Sequence, residues 1–123
     1  MVTIVVVEPD FAVRTLLVEW LTSEGYTVKQ FGHLPAGSGV LASAQLLVVD
    51  LASPRRHQPS PLADMHASHP GLPAIGLSTS LSRSLDGHST FARSMGLASV
   101  LAKPCERREL LDAVHEALGR PVA

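Results

Sequence analysis

The sequence predicts an α/β fold: a doubly wound sheet of five parallel strands in the order 2-1-3-4-5. Two unbroken apolar runs, Thr3–Val7 and Leu46–Val49, are the first observation. Strands that lack alternation are buried on both faces, as in a parallel sheet covered by helices. The second is that strand-like and helix-like segments alternate five times. Connections of helical length join parallel strands with right-handed crossovers. The third is that 123 residues, 46% hydrophobic and 17% charged, suit one domain over 1–123 with its own core.

Taken in order, the first strand is Thr3–Val7, β-branched and apolar at successive positions. Asp10 is placed to cap a helix from Phe11 to Glu24, with Val13, Leu16, Leu17, Trp20 and Leu21 as its apolar stripe. Arg14, Glu19 and Glu24 are left for solvent, and Gly25 suits the position after the last turn. Tyr26–Gln30 is a short second strand. Gly32, Pro35, Gly37 and Gly39 discourage a long helix next, leaving a short one near Gly37–Ala42. Leu46–Val49 is the central strand and stops at Asp50. Ser60–Pro61 starts a helix that ends by Ser68, before His69–Pro70–Gly71.

Leu72–Leu77 is the fourth strand, ending at Ser78–Thr79. Ser80–Ser89 is polar and reads as a long loop, followed by a helix that Gly96 ends. Ala98–Ala102 is the fifth strand, ending at Lys103–Pro104. The last helix starts at about Glu106, with Leu110, Leu111, Val114 and Leu118 as its stripe. Glu106 and Glu109 suit its positive N-terminus, and Gly119 and Pro121 stop it.

Composition excludes several classes. A net charge of -1 without a basic run gives no basis for nucleic-acid binding. Val2–Val7 is too short to span a membrane and runs straight into Glu8, so it is not a signal peptide either. The single cysteine, Cys105, has no intramolecular partner, which suits a reducing, cytoplasmic setting. A flavin-binding redox protein would share the sheet order. Glu8–Pro9–Asp10 after the first strand would repel a flavin phosphate, and no Ser/Thr/Gly-rich phosphate loop stands there.

In open α/β sheets, ligands bind beyond the carboxyl ends of the strands, at the point where strand order reverses. That edge gathers Glu8 and Asp10, Asp50, Ser78 and Thr79, and Lys103. Two carboxylates repel unless a cation stands between them, and Mg²⁺ prefers such oxygen ligands. Asp50 has the chemistry of a carboxylate nucleophile toward a phosphoryl donor, with Lys103 and the Ser78 hydroxyl to balance and hydrogen-bond the added oxygens.

From Val2 to about Leu118 the chain resembles the receiver domain of bacterial two-component response regulators. The resemblance rests on the acidic site after the first strand, on Asp50 with Pro54 four residues on, on a hydroxyl residue after the fourth strand, and on Lys103–Pro104. It implies a signalling module rather than an enzyme. Asp50 would accept a phosphoryl group from a histidine kinase or phosphotransfer protein and alter binding to a downstream protein. By position, Lys103 resembles the lysine that contacts the phosphoryl group, and Ser78 the hydroxyl that swings toward it. Glu8, Asp50 and the backbone carbonyl of Ala52 would hold Mg²⁺, and Lys103–Pro104 would be cis.

Three departures stand out. Pro9 occupies the place of the second metal-binding acid, while Asp10, one residue later, points toward the helix N-terminus. Val100 replaces the aromatic residue expected on the fifth strand, and Ser80–Ser89 is long for its place. Pro9 and Val100 motivate the alternative of a degenerate receiver that binds partners independently of phosphorylation. His66 and His69, three apart on a helix, would make half a metal site, but no further ligands are apparent and they read better as surface histidines. Arg55, Arg56 and His57 read as a solvated loop, Cys105 as a small residue buried beside Pro104, and Trp20 as core.

Overall fold

Chain segments that are apolar at every position bury both faces, and this decides the architecture. A computed structural model describes residues 2–33, 39–51, 61–81, 83–87 and 89–119, with backbone alone at 61–64. The strands are β1 (Thr3–Val7), β2 (Thr27–Phe31), β3 (Leu46–Asp50), β4 (Ala74–Ser78) and β5 (Ser99–Ala102). The helices are α1 (Phe11–Ser23), α2 (Gly39–Ala42), α3 (Pro61–Ser68), α4 (Thr90–Met95) and α5 (Arg107–Ala117). All the strand pairs are parallel, and the order is β2-β1-β3-β4-β5, as the sequence predicts.

Successive residues of one strand feed opposite layers. Ile4, Val6, Leu46, Val48, Ile75, Leu77 and Leu101 pack with Leu17 and Leu21 of α1 and Leu110, Leu111 and Val114 of α5. Val5, Val7, Leu47, Val49, Ala74 and Val100 pack on the other face with Leu41, Met65, Ala92 and Leu97. The unbroken runs are therefore two interleaved period-2 patterns, each with its own core. Gly76 permits one close approach: a Cβ there would stand 2.6 Å from Leu51 Cδ1 and 3.0 Å from a Leu97 methyl.

The helix ends follow local chemistry. The Asp10 side chain accepts from Val13 N at 3.0 Å and caps α1, and Gly25 (φ 92°) turns the chain after it. Ser89 caps α4 through Ala92 N at 3.0 Å, and Gly96 (φ 69°) ends it. Glu106 stands at the N-cap of α5 without a side-chain cap bond; Glu109 lies in the first turn.

Several expectations need correction. Leu16 is 44% exposed rather than part of the α1 stripe, because Leu17 and Leu21 alone of that helix are fully covered. Arg14 is half-buried rather than left for solvent, its guanidinium being drawn to polar groups at the ends of β1 and β2. β4 begins at Ala74, not Leu72, because Leu72 N turns back to His69 O at 3.1 Å. β2 is shifted one residue on, from Thr27 to Phe31. β5 starts at Ser99, although Ala98 N already bonds Ala74 O at 2.8 Å. His66 and His69 are half-buried, not surface residues, and His66 Nε2 lies 3.1 Å from Met95 O. Cys105 is half-buried and packs against the α1–α5 core, as does Trp20. The α2 helix is four residues, Gly39–Ala42; Gly37, Ser60 and Pro121 lie outside the described residues.

The loop expectation for Ser80–Ser89 misses one contact. Leu85 forms an isolated antiparallel bridge with Val100 on the outer side of β5. No helix among the described residues is long and apolar enough to cross a membrane.

Candidate functional site

Strand register brings the predicted residues to one edge. Val7 pairs with Val49, so Glu8 follows β1 beside the end of β3. Asp50 is the last residue of β3 and pairs with Leu77; Ser78 pairs with Ala102, the last residue of β5. Lys103 comes next, its N–H donating to Ser78 O at 2.8 Å. The Lys103–Pro104 bond is cis.

From that position the Lys103 side chain reaches back over the sheet edge. Its Nζ donates to Asp50 Oδ1 at 2.8 Å and also to Glu8 Oε1. The Glu8 side chain is 1% exposed; those of Asp50 and Lys103 are each 13% exposed. One ammonium thus serves two carboxyl groups in a nearly closed pocket. Burial pulls the Lys103 pKa down, but hydrogen bonds to Asp50 and Glu8, with the charges of both, outweigh it and leave the pKa above its ordinary value.

Glu8 is fixed by its own backbone. Its N–H donates to Phe31 O at 3.0 Å, continuing the β1–β2 ladder. Its carbonyl accepts from Arg14 Nη1 at 2.7 Å, while Arg14 Nε donates to Gln30 Oε1 at 3.3 Å. The guanidinium also lies 5.5 Å from the Phe11 ring centroid. Arg14 is a residue that sequence reasoning missed. Its helical position one turn past Asp10, beside a strand end rich in carbonyls, is the only signal it leaves.

Ser78 is at the same edge, buried at 3% exposure, and its hydroxyl is engaged by Ser80. Its hydroxyl lies 2.8 Å from Ser80 Oγ and accepts from Ser80 N at 3.2 Å. Thr79 beside it is exposed and lines an apolar groove of about 330 Å³ with Val13, Trp20, Lys103 and Cys105. Burial pushes the Cys105 thiol pKa up, and the negative charge of Glu109 adds to it. The structure therefore unites Glu8, Asp50 and Lys103, holds Ser78 one bond aside, and sets Asp10 at the α1 cap. Ala52, Pro54, Arg55, Arg56 and His57 lie outside the described residues.

The Mg²⁺ that the receiver resemblance implies has a partial donor set here. Two carboxylates close enough to share one ammonium are close enough to share one hard cation. The third expected acid is absent, since Pro9 carries none and Asp10 is spent on the helix. Among the described residues, no group of three His, Cys, Asp or Glu side chains converges as a metal site.

No family model matches the chain, and no curated protein matches it. Solved structures do. A CheY-like response regulator receiver domain protein from Methanospirillum hungatei superposes with a TM-score of 0.74 at 24% identity, over 97% of this chain and 94% of that one. A response regulator from Thermotoga maritima gives 0.75 at 17% identity, over 97% and 98%. HP1043, an orphan response regulator of H. pylori, gives 0.73 at 14% identity, over 95% and 96%. With the strand order and the edge already described, the chain has the fold of a CheY-like response regulator receiver domain.

Proposed function

We propose that the chain is a receiver-type signalling module in which Asp50 takes a phosphoryl group and so changes affinity for a downstream protein. The observation that carries this reading is the Lys103 ammonium, 2.8 Å from Asp50 Oδ1 at the sheet's switch point. The donor would be a phosphohistidine of a histidine kinase or phosphotransfer protein. An Asp50 carboxylate oxygen forms the new bond to phosphorus as the phosphorus–nitrogen bond breaks. The electron pair leaves with the imidazole, which takes up a proton. Lys103 stays on hand for the added negative charge, and the Ser78 hydroxyl can exchange Ser80 for a phosphoryl oxygen. Glu8 and Asp50, with the carbonyl of Ala52, are the residues that would hold Mg²⁺. When bound, the ion would draw off charge from the phosphoryl oxygens. This reading carries with it a cytoplasmic setting.

A second reading, a phosphorylation-independent interaction module, is favoured by one specific observation. With Pro9 in the chain and Asp10 capping α1, two carboxyl groups remain at this edge among the described residues, and Lys103 engages both. Acetyl phosphate with Mg²⁺, followed by intact mass measurement, separates the two. The first reading expects a gain of one phosphoryl group, lost in Asp50→Asn and increased in Pro9→Asp. No gain in either the native chain or Pro9→Asp, with partner binding unchanged by Asp50→Asn, would leave the second.

A further inference from the structure

A peptide unit ordinarily offers two hydrogen-bonding groups, an N–H and a C=O. The unit between Glu8 and Pro9 offers one, because proline carries no N–H. That one group, the Glu8 carbonyl, accepts from Arg14 Nη1 at 2.7 Å. On the other side of the residue, Glu8 N donates to Phe31 O at 3.0 Å. Glu8 is thus gripped at both of its peptide units, and Pro9 also disfavours helical torsions for it. Its side chain, 1% exposed, keeps only its own torsions, and these end at Lys103 Nζ. The guanidinium of Arg14 is itself aimed. Its Nε donates to Gln30 Oε1 at 3.3 Å, and it lies 5.5 Å from the Phe11 ring centroid. The end of β2 and the first residue of α1 therefore orient the fork. Among the described residues Arg14 forms no salt bridge with a carboxylate. A full charge is directed at a neutral carbonyl, and a charged donor makes the stronger bond.

We infer that Arg14 is a positioning residue for the pocket: by holding the Glu8 carbonyl it sets the Glu8 carboxyl group against Lys103, and so keeps the ammonium at Asp50. The contacts run from Arg14 on α1 to Glu8 after β1, then to Lys103 after β5, and end at Asp50 on β3. Arg14 acts on the pocket through Glu8. Without its bond, Glu8 is held from the strand side alone, and the Glu8–Pro9 peptide is free to tilt. The Lys103 ammonium then loses one of its two carboxyl acceptors in a site where its side chain is 13% exposed. That this placement serves phosphoryl acceptance rests on the function proposed above; the placement itself does not.

Two measurements on the full chain test it. The first needs no phosphoryl donor: NMR coupling across the hydrogen bonds from Lys103 Nζ to the carboxyl carbons of Glu8 and Asp50. The native chain gives both couplings. Arg14→Met keeps an apolar stem, removes the donors, and loses the Glu8 coupling while retaining the Asp50 one. Arg14→Lys keeps one charged donor without the fork and recovers the Glu8 coupling in part. Ser89→Ala deletes the cap of α4, which packs in the opposite layer, and leaves both couplings at native strength although it too destabilises the fold. The second measurement is the rate at which acetyl phosphate labels Asp50, read as mass gain while acetate leaves. Arg14→Met slows it on the order of tenfold, Arg14→Lys less, and Ser89→Ala not at all. A native-strength Glu8 coupling in Arg14→Met would overturn the placement. So would its loss in Ser89→Ala, which would trace it to lowered stability. Should Arg14→Met not fold, Arg14→Lys and Gln30→Leu decide in its place: weakening of the Glu8 coupling in either upholds the inference, and native strength in both overturns it. Failure of the acceptor reading shows separately, as no mass gain in the native chain. A Glu8 coupling lost in Arg14→Met with labelling unslowed would overturn the service to Asp50 while the acceptor reading stands.

Discussion

Replacing Lys103 by methionine keeps the length and apolar stem of the side chain and removes only the ammonium. In the native chain that group bonds Glu8, whose side chain is 1% exposed, and Asp50, at 13%. Its loss leaves two carboxyl groups facing each other with little access to water. Breaking a buried pair by deleting one partner costs about 3–5 kcal/mol, because the charge left behind is uncompensated. The partial exposure of Asp50 allows some relief by solvent, so about 3 kcal/mol is expected. For a chain of this length that lowers Tm by roughly 10–15 °C. Urea denaturation with an unchanged slope is the assay. Glu8→Gln added to Lys103→Met should recover most of the loss. A cost below about 1 kcal/mol, the value of an exposed ion pair, would refute the claim that this ammonium holds the pocket together. The alkaline limb gives a sign check. The folded Lys103 pKa is raised, so its contribution is complete below the unfolded value and is lost as pH rises through the folded one. The native chain should lose stability more steeply above about pH 10.4 than Lys103→Met does.

Three further outcomes follow from particular contacts. Asp10→Ala removes the α1 cap and should cost about 1 kcal/mol in urea denaturation while leaving any Mn²⁺ binding intact, because its carboxylate serves Val13 N. Gly76→Val drives two methyls into Leu51 and Leu97 and should cost about 1–3 kcal/mol or more, read as a lowered denaturation midpoint. Cys105, with its pKa raised by burial and by Glu109, should react with a disulfide reagent more slowly in the folded chain than in urea at pH 8, and Glu109→Gln should speed the folded rate.

The parts of the fold legible in the sequence are those set by strand interiors and strand ends. Thr3–Val7 and Leu46–Val49 announce burial on both faces, and the residues just beyond them are fixed by register. Glu8, Asp50 and Lys103 were therefore readable as neighbours, although 95 and 53 positions separate the lysine from its partners. Contacts that depend on the path of a connection were not readable. The Ser78–Ser80 bond and the Leu85–Val100 bridge come from a polar stretch with no periodicity, where two leucines among serines, Leu81 and Leu85, carry no signal of strand pairing. A helical wheel ranks Arg14 as polar and so leaves it for solvent. It has no means of showing that the carbonyl of Glu8 stands within reach. Leu72 and Pro73 extend the apolar run that becomes β4, and composition alone does not reveal that Leu72 N closes a turn on His69.

The lysine that joins Glu8 and Asp50 also makes the pocket an account of how the chain assembles. Its three members come from the first, third and last strands, and β4 lies between β3 and β5 in the sheet. No local hairpin or single crossover can form the triad; it needs contacts of long sequence separation, which come slowly because loop closure precedes their reward. A β1–β3 pair without β5 would set Glu8 and Asp50 side by side with no ammonium between them, an electrostatic penalty that Lys103 offsets in the folded chain. The triad therefore exists only where β5 is in place, whereas β2, on the far edge, supplies no member of it.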